Sequence, residues 1–196
     1  EANSGSAFII AISNENWIFS QRITAAEDGH ADDLFGTSVD IDGNVAIVGA
    51  YRNASNWDEA GAAYIYRYTG SKWTLVKKLA AKDNDEVDPA LGFDHFGTSV
   101  SISGNYAIVG APEYDGNSTT NEGAAYLFEF DGMQWNRIHT LTPAGTTAQR
   151  NGAQFGRSVA IDGETIIVGA PGYNGNTGAV FLFDLDGVQL TTLSSG

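Results

Sequence analysis

The sequence predicts an all-β protein assembled from repeated four-stranded antiparallel units, and three observations lead there. Short landmarks recur in fixed order at intervals of 61 and 59 residues; glycine supplies 24 of 196 residues; and no stretch carries the 3.6-residue apolar stripe of a helix. The landmarks come first. Phe35-Gly36-Thr37-Ser38-Val39 returns as Phe96-Gly97-Thr98-Ser99-Val100 and as Phe155-Gly156-Arg157-Ser158-Val159. Downstream, Ala46-Ile47-Val48-Gly49-Ala50 returns as Ala107-Ile108-Val109-Gly110-Ala111 and Ile166-Ile167-Val168-Gly169-Ala170, the last two copies being followed by Pro112 and Pro171. Gly61-Ala62-Ala63-Tyr64 has counterparts at Gly123 and Gly178, and an additional copy, Gly5-Ser6-Ala7-Phe8, opens the chain. Trp17, Trp73 and Trp135 fall at one further common position, taken by Leu190 in the last copy.

Each unit divides into four strands. The first, near 37–42, alternates Val39 and Ile41 with polar residues, the mark of a half-buried strand. Asp42-Gly43-Asn44 then makes a tight hairpin, because glycine takes positive φ freely. The second strand, 45–49, is an unbroken apolar run, as a strand covered on both faces requires. The third runs from Ala62 to Tyr68, and Thr69-Gly70-Ser71 turns it into the fourth, Trp73 to Leu79. Segments 7–12 and 17–23 repeat only the third and fourth strands. The expected organisation is a half blade at 5–34 and blades at 35–95, 96–154 and 155–193, with 14 strands and almost no helix. A four-stranded unit at this period is a β-propeller blade, or more rarely a turn of a β-solenoid. A half blade leaves an unsatisfied inner edge, so this chain is expected to be part of a longer propeller or to close through other copies of itself. Its numbering, starting at Glu1, is expected to begin inside a longer precursor or on a trimmed piece of the protein.

Composition narrows the function. Ten Lys and Arg against 24 Asp and Glu give a net charge of −14, which repels phosphate backbones and argues against nucleic-acid binding. With no cysteine, disulfides, thiolate metal sites and a cysteine nucleophile are excluded. No apolar run reaches the length of a membrane-spanning helix. His30, His95 and His139 lie in unrelated contexts, and no metalloprotease, serine-hydrolase or phosphate-loop pattern occurs, so no catalytic residue is assigned and an enzyme is not expected. Asn53 and Asn117 begin N-glycosylation sequons, short patterns that also arise by chance.

Phe-Gly opening one strand and Val-Gly-Ala-Pro closing the next resemble the FG-GAP repeat of integrin α-subunit propellers and their bacterial and lectin-like relatives. The resemblance covers Gly5 to about Leu193. It implies a seven-bladed propeller that binds proteins, glycans or matrix outside the cell. Integrin repeats often carry an Asp-rich calcium loop between the first two strands. Here that loop is only Asp42-Gly43-Asn44 or its equivalents, too short to supply six to eight oxygens, so calcium is not expected at that family position.

Within the repeat, Phe35, Phe96 and Phe155 are expected to fill the junctions between blades, with Gly36, Gly97 and Gly156 allowing close backbone approach. Gly49, Gly110 and Gly169 are expected to let the chain turn sharply after the buried strand, and the tryptophans to pack between outer strands. In an antiparallel meander, alternate connections leave by opposite faces. The long connections (51–60, 112–122, 171–177, 24–34, 80–95 and 142–154) therefore share one face, and ligand recognition is expected there. These loops hold 14 of the 24 acids, so the candidate ligand-binding residues are Asp58, Glu59, Glu113, Asp115 and Glu122. Solvated acidic loops would show the same composition. The best candidate metal ligands are Asp83, Asp85 and Asp88, alternating within six residues, for calcium. The functional expectation is a secreted or cell-surface adhesion module for a protein or glycan (carbohydrate) ligand. The alternative is a structural subunit that assembles into a ring or filament through open blade edges.

Overall fold

The computed structural model describes residues 4–13, 16–25, 29–54, 60–81, 93–116 and 119–194. Among the described residues fourteen strands run in chain order: β1 (Ala7–Ser13), β2 (Asn16–Ile23), β3 (Val39–Asp42), β4 (Val45–Ala50), β5 (Ala62–Tyr68), β6 (Trp73–Leu79), β7 (Ser99–Ser103), β8 (Tyr106–Ala111), β9 (Ala124–Phe130), β10 (Trp135–Leu141), β11 (Ser158–Asp162), β12 (Thr165–Ala170), β13 (Ala179–Phe183) and β14 (Gln189–Ser194). Among the described residues one single-turn helix, α1 (Thr147–Arg150), lies between β10 and β11; between β12 and β13 the chain makes a tight turn in which Asn174, Gly175 and Asn176 take φ of 53°, 67° and 69°. Strands β3–β6, β7–β10 and β11–β14 each form a four-stranded antiparallel meander, and among the described residues β1 pairs with β2 alone. Gly43, Gly104 and Gly163 take φ near +55° (55°, 56° and 55°) in the hairpins that join the first two strands of each sheet.

The sheets converge at their first strands. β7 lies against both β3 and β11, whereas the fourth strands fan apart. A polar ladder joins these inner strands. Asp40 Oδ2 accepts from Ser101 Oγ and from Ile102 N–H, both at 2.8 Å, and Asp42 Oδ2 accepts from Gly104 N–H at 2.7 Å. One repeat on, Ser101 Oγ accepts from Ile161 N–H at 3.3 Å and Ser103 Oγ from Gly163 N–H at 3.2 Å. Contact at the inner edge with divergence outward is the arrangement of propeller blades, and the ring is open in these sheets.

Apolar cores lie between sheets rather than within them. One joins Ile47, Ile65 and Leu79 of the β3–β6 sheet to Phe96, Val109 and Tyr126 of the next; another joins Ile108, Leu127 and Leu141 to Phe155, Val168 and Phe181. The third sets Ile23 and Ala25, with Ala7 and Ile9, against Phe35, Tyr64 and Tyr66. Phe35, Phe96 and Phe155 occupy these seams at 3%, 0% and 0% exposure. Each ring meets two aromatic residues of its own third strand edge-on, as Phe96 does Tyr126 at 5.4 Å and Phe128 at 6.1 Å, a geometry favoured by the ring quadrupoles. The Phe-Gly backbone staples two blades. Phe96 N–H donates to Ala60 O of the preceding unit at 3.0 Å, and Gly97 N–H donates to Gly110 O of its own sheet at 3.0 Å.

Gly49, Gly110 and Gly169 require a correction. They lie inside β4, β8 and β12 and are absent from the positive-φ glycines, so they make no turn. A Cβ at Gly49 would collide with the Gly97 carbonyl oxygen, and one at Gly110 with that of Gly156. Their missing side chain lets the next blade's Phe-Gly peptide lie against the strand. Trp73 and Trp135 are buried, at 8% and 3% exposure, and join the seam cores.

Candidate functional site

The long connections between second and third strands, and between one sheet and the next, gather at one end of the sheets; the hairpin turns occupy the other. The residues just before each Phe-Gly build this end. Asp32, Phe93 and Gly152 stand at one repeat position with φ of 67°, 74° and 71°; Leu34, His95 and Gln154 stand two residues on with φ of 55°, 56° and 52°. Two left-handed residues flanking a single residue turn the connection sharply, and each non-glycine there costs of order 1 kcal/mol that packing offsets.

The flanked residue points inward. Asp33 and Asp94 are 1% and 2% exposed, and Ala153 takes the same place in the last unit. Asp33 Oδ2 accepts from Asn53 Nδ2 at 2.8 Å and from His30 N–H at 2.7 Å. The backbone oxygens of Asp33, Asp94 and Ala153 accept from the N–H groups of Arg52, Glu113 and Gly172 at 3.4, 3.3 and 3.0 Å, so each unit's two long connections are tied together. Both aspartates lie beneath the face, and the carboxylate of Asp33 braces it there. Their signal in the sequence is alignment: Asp-x-Phe-Gly occurs in two units, whereas the other loop acids fall at unrelated positions.

The connection at 112–122 is bonded to the next one across its seam. Thr120 O and Asn121 O accept from Gly152 and Gln154 N–H at 2.8 and 3.1 Å, and Asn151 Oδ1 accepts from Thr120 N–H at 2.9 Å. Across the seam, Arg150 Nη1 donates to Glu122 Oε1 at 2.8 Å, and Thr119 Oγ1 donates to Glu122 Oε2. α1 completes this lacing with a capping box, in which Thr146 and Gln149 satisfy each other's backbone N–H. Tyr173 Oη anchors the preceding segment through Ala144 O at 3.0 Å.

The candidate ligand-binding acids separate on this frame. Glu122 is 2% exposed and serves the loop through Arg150 and Thr119, so its carboxylate is turned away from solvent. Gly116 makes room for it, since a Cβ there would strike both Glu122 and Thr119. Glu113 sits at the surface, its side chain 37% exposed and its Oε1 3.0 Å from His95 Nδ1. Tyr51 of the preceding unit meets the His95 ring edge-on at 5.0 Å, and the Arg52 guanidinium lies 6.0 Å from the Tyr51 ring. Arg52, Tyr51, His95 and Glu113 thus form a line of mixed polar and aromatic groups across a seam, which spacing alone did not reveal. Asp115 Oδ1 accepts from Asn121 N–H at 2.7 Å, fixing the loop base. Asp58, Glu59, Asp83, Asp85, Asp88 and Asn117 lie outside the described residues. Among the described residues, no three His, Asp or Glu side chains gather in a group that could hold a metal. Asn53 is 2% exposed, its amide turned onto Asp33.

Chemically, the face offers fixed carboxylates and carbonyls with aromatic edges, on loops held by a rigid scaffold. That arrangement suits recognition. The family model of the FG-GAP repeat matches residues 17–66, 73–128 and 135–183. No curated protein matches the chain. Each matched span starts in the last strand of one sheet and ends in the third strand of the next, so it straddles a seam. FG-GAP propellers are typically non-enzymatic modules that often bind other molecules, and among the described residues no helix is long and apolar enough to cross a membrane.

Proposed function

The chain belongs to the FG-GAP repeat family, and from that premise we propose that it is an extracellular binding module that holds a protein or glycan ligand on its long-loop face. One observation carries the reading: connections from neighbouring units are bonded to one another across the seams, as Gly152 and Gln154 are to Thr120 and Asn121. Elaborated loops so held present a fixed surface at little entropic cost to binding. In this proposal Glu113 and Asp115, with Asp58 and Glu59, are the ligand-facing acids, and Glu122 acts by holding their loop in place. The net charge of −14 suits a basic protein surface or the hydroxyls of a sugar. Asp83, Asp85 and Asp88 would hold a calcium ion beside this face.

Glycan arrays and a panel of basic proteins supply the ligand, and Glu113→Gln and Asp58→Asn/Glu59→Gln supply the test. Affinity should fall roughly tenfold in the variants. Unchanged affinity in both, with substitutions in the hairpin-turn face abolishing binding, would refute the assignment. A chelator should lower Tm if the calcium proposal holds.

A second reading, a self-assembling subunit, rests on the exposed apolar side chains at the two ends of the array. Phe8, Ile10, Ile18 and Phe19 of the β1–β2 sheet are 59%, 53%, 49% and 61% exposed. Its test is particle mass against concentration. Growth into rings or filaments would favour it, and a monomer throughout would remove it.

A further inference from the structure

We propose that the outer face of the β11–β14 sheet is a socket for a Phe-Gly-led β-hairpin, the kind of segment this chain carries at 35–50, 96–111 and 155–170. The proposal does not rest on the long-loop reading. It rests on one backbone device that occurs four times and is filled three times. Gly5, Gly61 and Gly123, with φ of 88°, 86° and 82°, form isolated parallel bridges with Phe35, Phe96 and Phe155. Gly178 is the fourth copy, with φ of 78°, and no such bridge forms on it among the described residues. A Cβ at any of the first three would drive into the backbone of the arriving phenylalanine. At Gly178 the nearest atom is Pro171 O, 3.4 Å away.

The rest of the socket is also in place. Ser38 and Ser99 donate their hydroxyls to the carbonyls of Gly97 and Gly156 in the next blade at 2.8 and 2.7 Å. Ser158 is their counterpart, and a Cβ at the adjoining Gly169 would meet only Ser158, where its counterparts meet the next blade's glycine. Ser158, Gly169, Ala170, Gly178, Ala179 and Leu193 line an open groove of about 470 Å³. Around it, the outer face of the sheet exposes apolar side chains that the other blades bury. Ile167 is 41% exposed, against 0% for Ile47 and Ile108; Leu193 is 59% exposed, against 0% for Leu79 and 3% for Leu141. At the inner end Asp162 occupies the position from which Asp42 accepts the Gly104 N–H. Ala160 replaces Asp40 and Ser101, so one rung of the ladder is missing.

These features define the occupant by its chemistry. An aromatic ring is needed for Val180, Leu182 and Leu193. A glycine must follow it, since in the filled seams a Cβ at Gly97 or Gly156 would collide with Ala62 O or Ala124 O. A hairpin N–H completes the set at Asp162. A second copy of this chain does not provide it, because Phe35, Phe96 and Phe155 are each already buried in a seam. The occupant is a Phe-Gly hairpin whose own seam is unfilled.

The test titrates the whole protein with a synthetic peptide of its residues 94–113, which carry such a hairpin, by calorimetry and by the shift in Tm. Saturable one-to-one binding is expected, weakened at least tenfold by Phe96→Ala or Gly97→Val in the peptide. Ile167→Glu and Gly178→Val in the protein should each weaken it as much. Ile167 is exposed, so its variant keeps the test decisive where Gly178→Val disturbs folding. No binding at millimolar peptide to natively folded protein would overturn the proposal, as would equal binding of the Phe96→Ala peptide. Self-association of the protein that Ile167→Glu abolishes would also overturn it, by showing that a second copy covers the face.

Discussion

Strands β8 and β12 carry nearly the same words, Ala-Ile-Val-Gly-Ala and Ile-Ile-Val-Gly-Ala, yet they live in different surroundings. From Ala107 to Ala111 every residue of β8 is buried; β12 alternates, with Thr165 and Ile167 exposed and Ile166 and Val168 buried. The backbone, the hairpin and the inner pairing are alike. Only the neighbour differs: β8 has sheets on both sides, whereas β12 has one. Burial in this protein is therefore a property of adjacent pairs, as expected for a repeat array whose stability sums over interfaces. A landmark residue has its energetic meaning only when the next unit is present.

Substitutions at matched positions should break that comparison most visibly. Ile108→Ala should cost about 4 kcal/mol in urea unfolding, and Ile167→Ala about 1 kcal/mol, because only the first opens a cavity. Equal costs would mean that the outer face is covered in solution. Next in size, Gly110→Ala should cost about 3 kcal/mol through its collision with the Gly156 carbonyl, while Gly169→Ala needs only the Ser158 side chain to rotate and should cost about 1 kcal/mol or less. Within the long-loop face, Arg150→Met should cost about 2 kcal/mol, because the nearly buried Glu122 then loses its charged partner. Proteolysis of the 112–122 loop should become faster with it.

Alkaline pH sharpens the same contrast. Burial pushes the Tyr66 and Tyr126 phenols well above their ordinary 10.0, and the neighbouring Asp94 adds to the effect on Tyr126. Both side chains face seams that are filled. A group whose folded pKa exceeds its unfolded value lends stability below the unfolded value and loses it as the pH rises further. Stability should therefore hold up to about pH 10 and fall above it, and Tyr126→Phe should make that fall shallower in a pH-dependent denaturation series.

Much of the fold was legible because it is local. Alternation at Val39 and Ile41, the apolar run at 45–49 and the glycine hairpins each declare a strand or a turn within a few residues, and their recurrence declares the blade. The non-local parts were hidden. Nothing in the sequence distinguishes Asp33 and Asp94, enclosed beneath the loops, from solvated loop acids except their shared place before Phe-Gly. Glu122 and Arg150 pair across 28 residues and a seam. The left-handed conformations at Phe93, Leu34 and His95 occur at residues whose type gives no hint of them. Gly49 reads as a turn glycine until the next blade's carbonyl is seen lying against it.

Solvent paramagnetic relaxation of the isoleucine methyls in the monomeric protein tests the neighbour rule most directly. Ile47 and Ile108 should be shielded from a soluble paramagnetic probe while Ile167, in the same motif, relaxes like a surface residue. Shielding of Ile167 equal to that of Ile108 would contradict it.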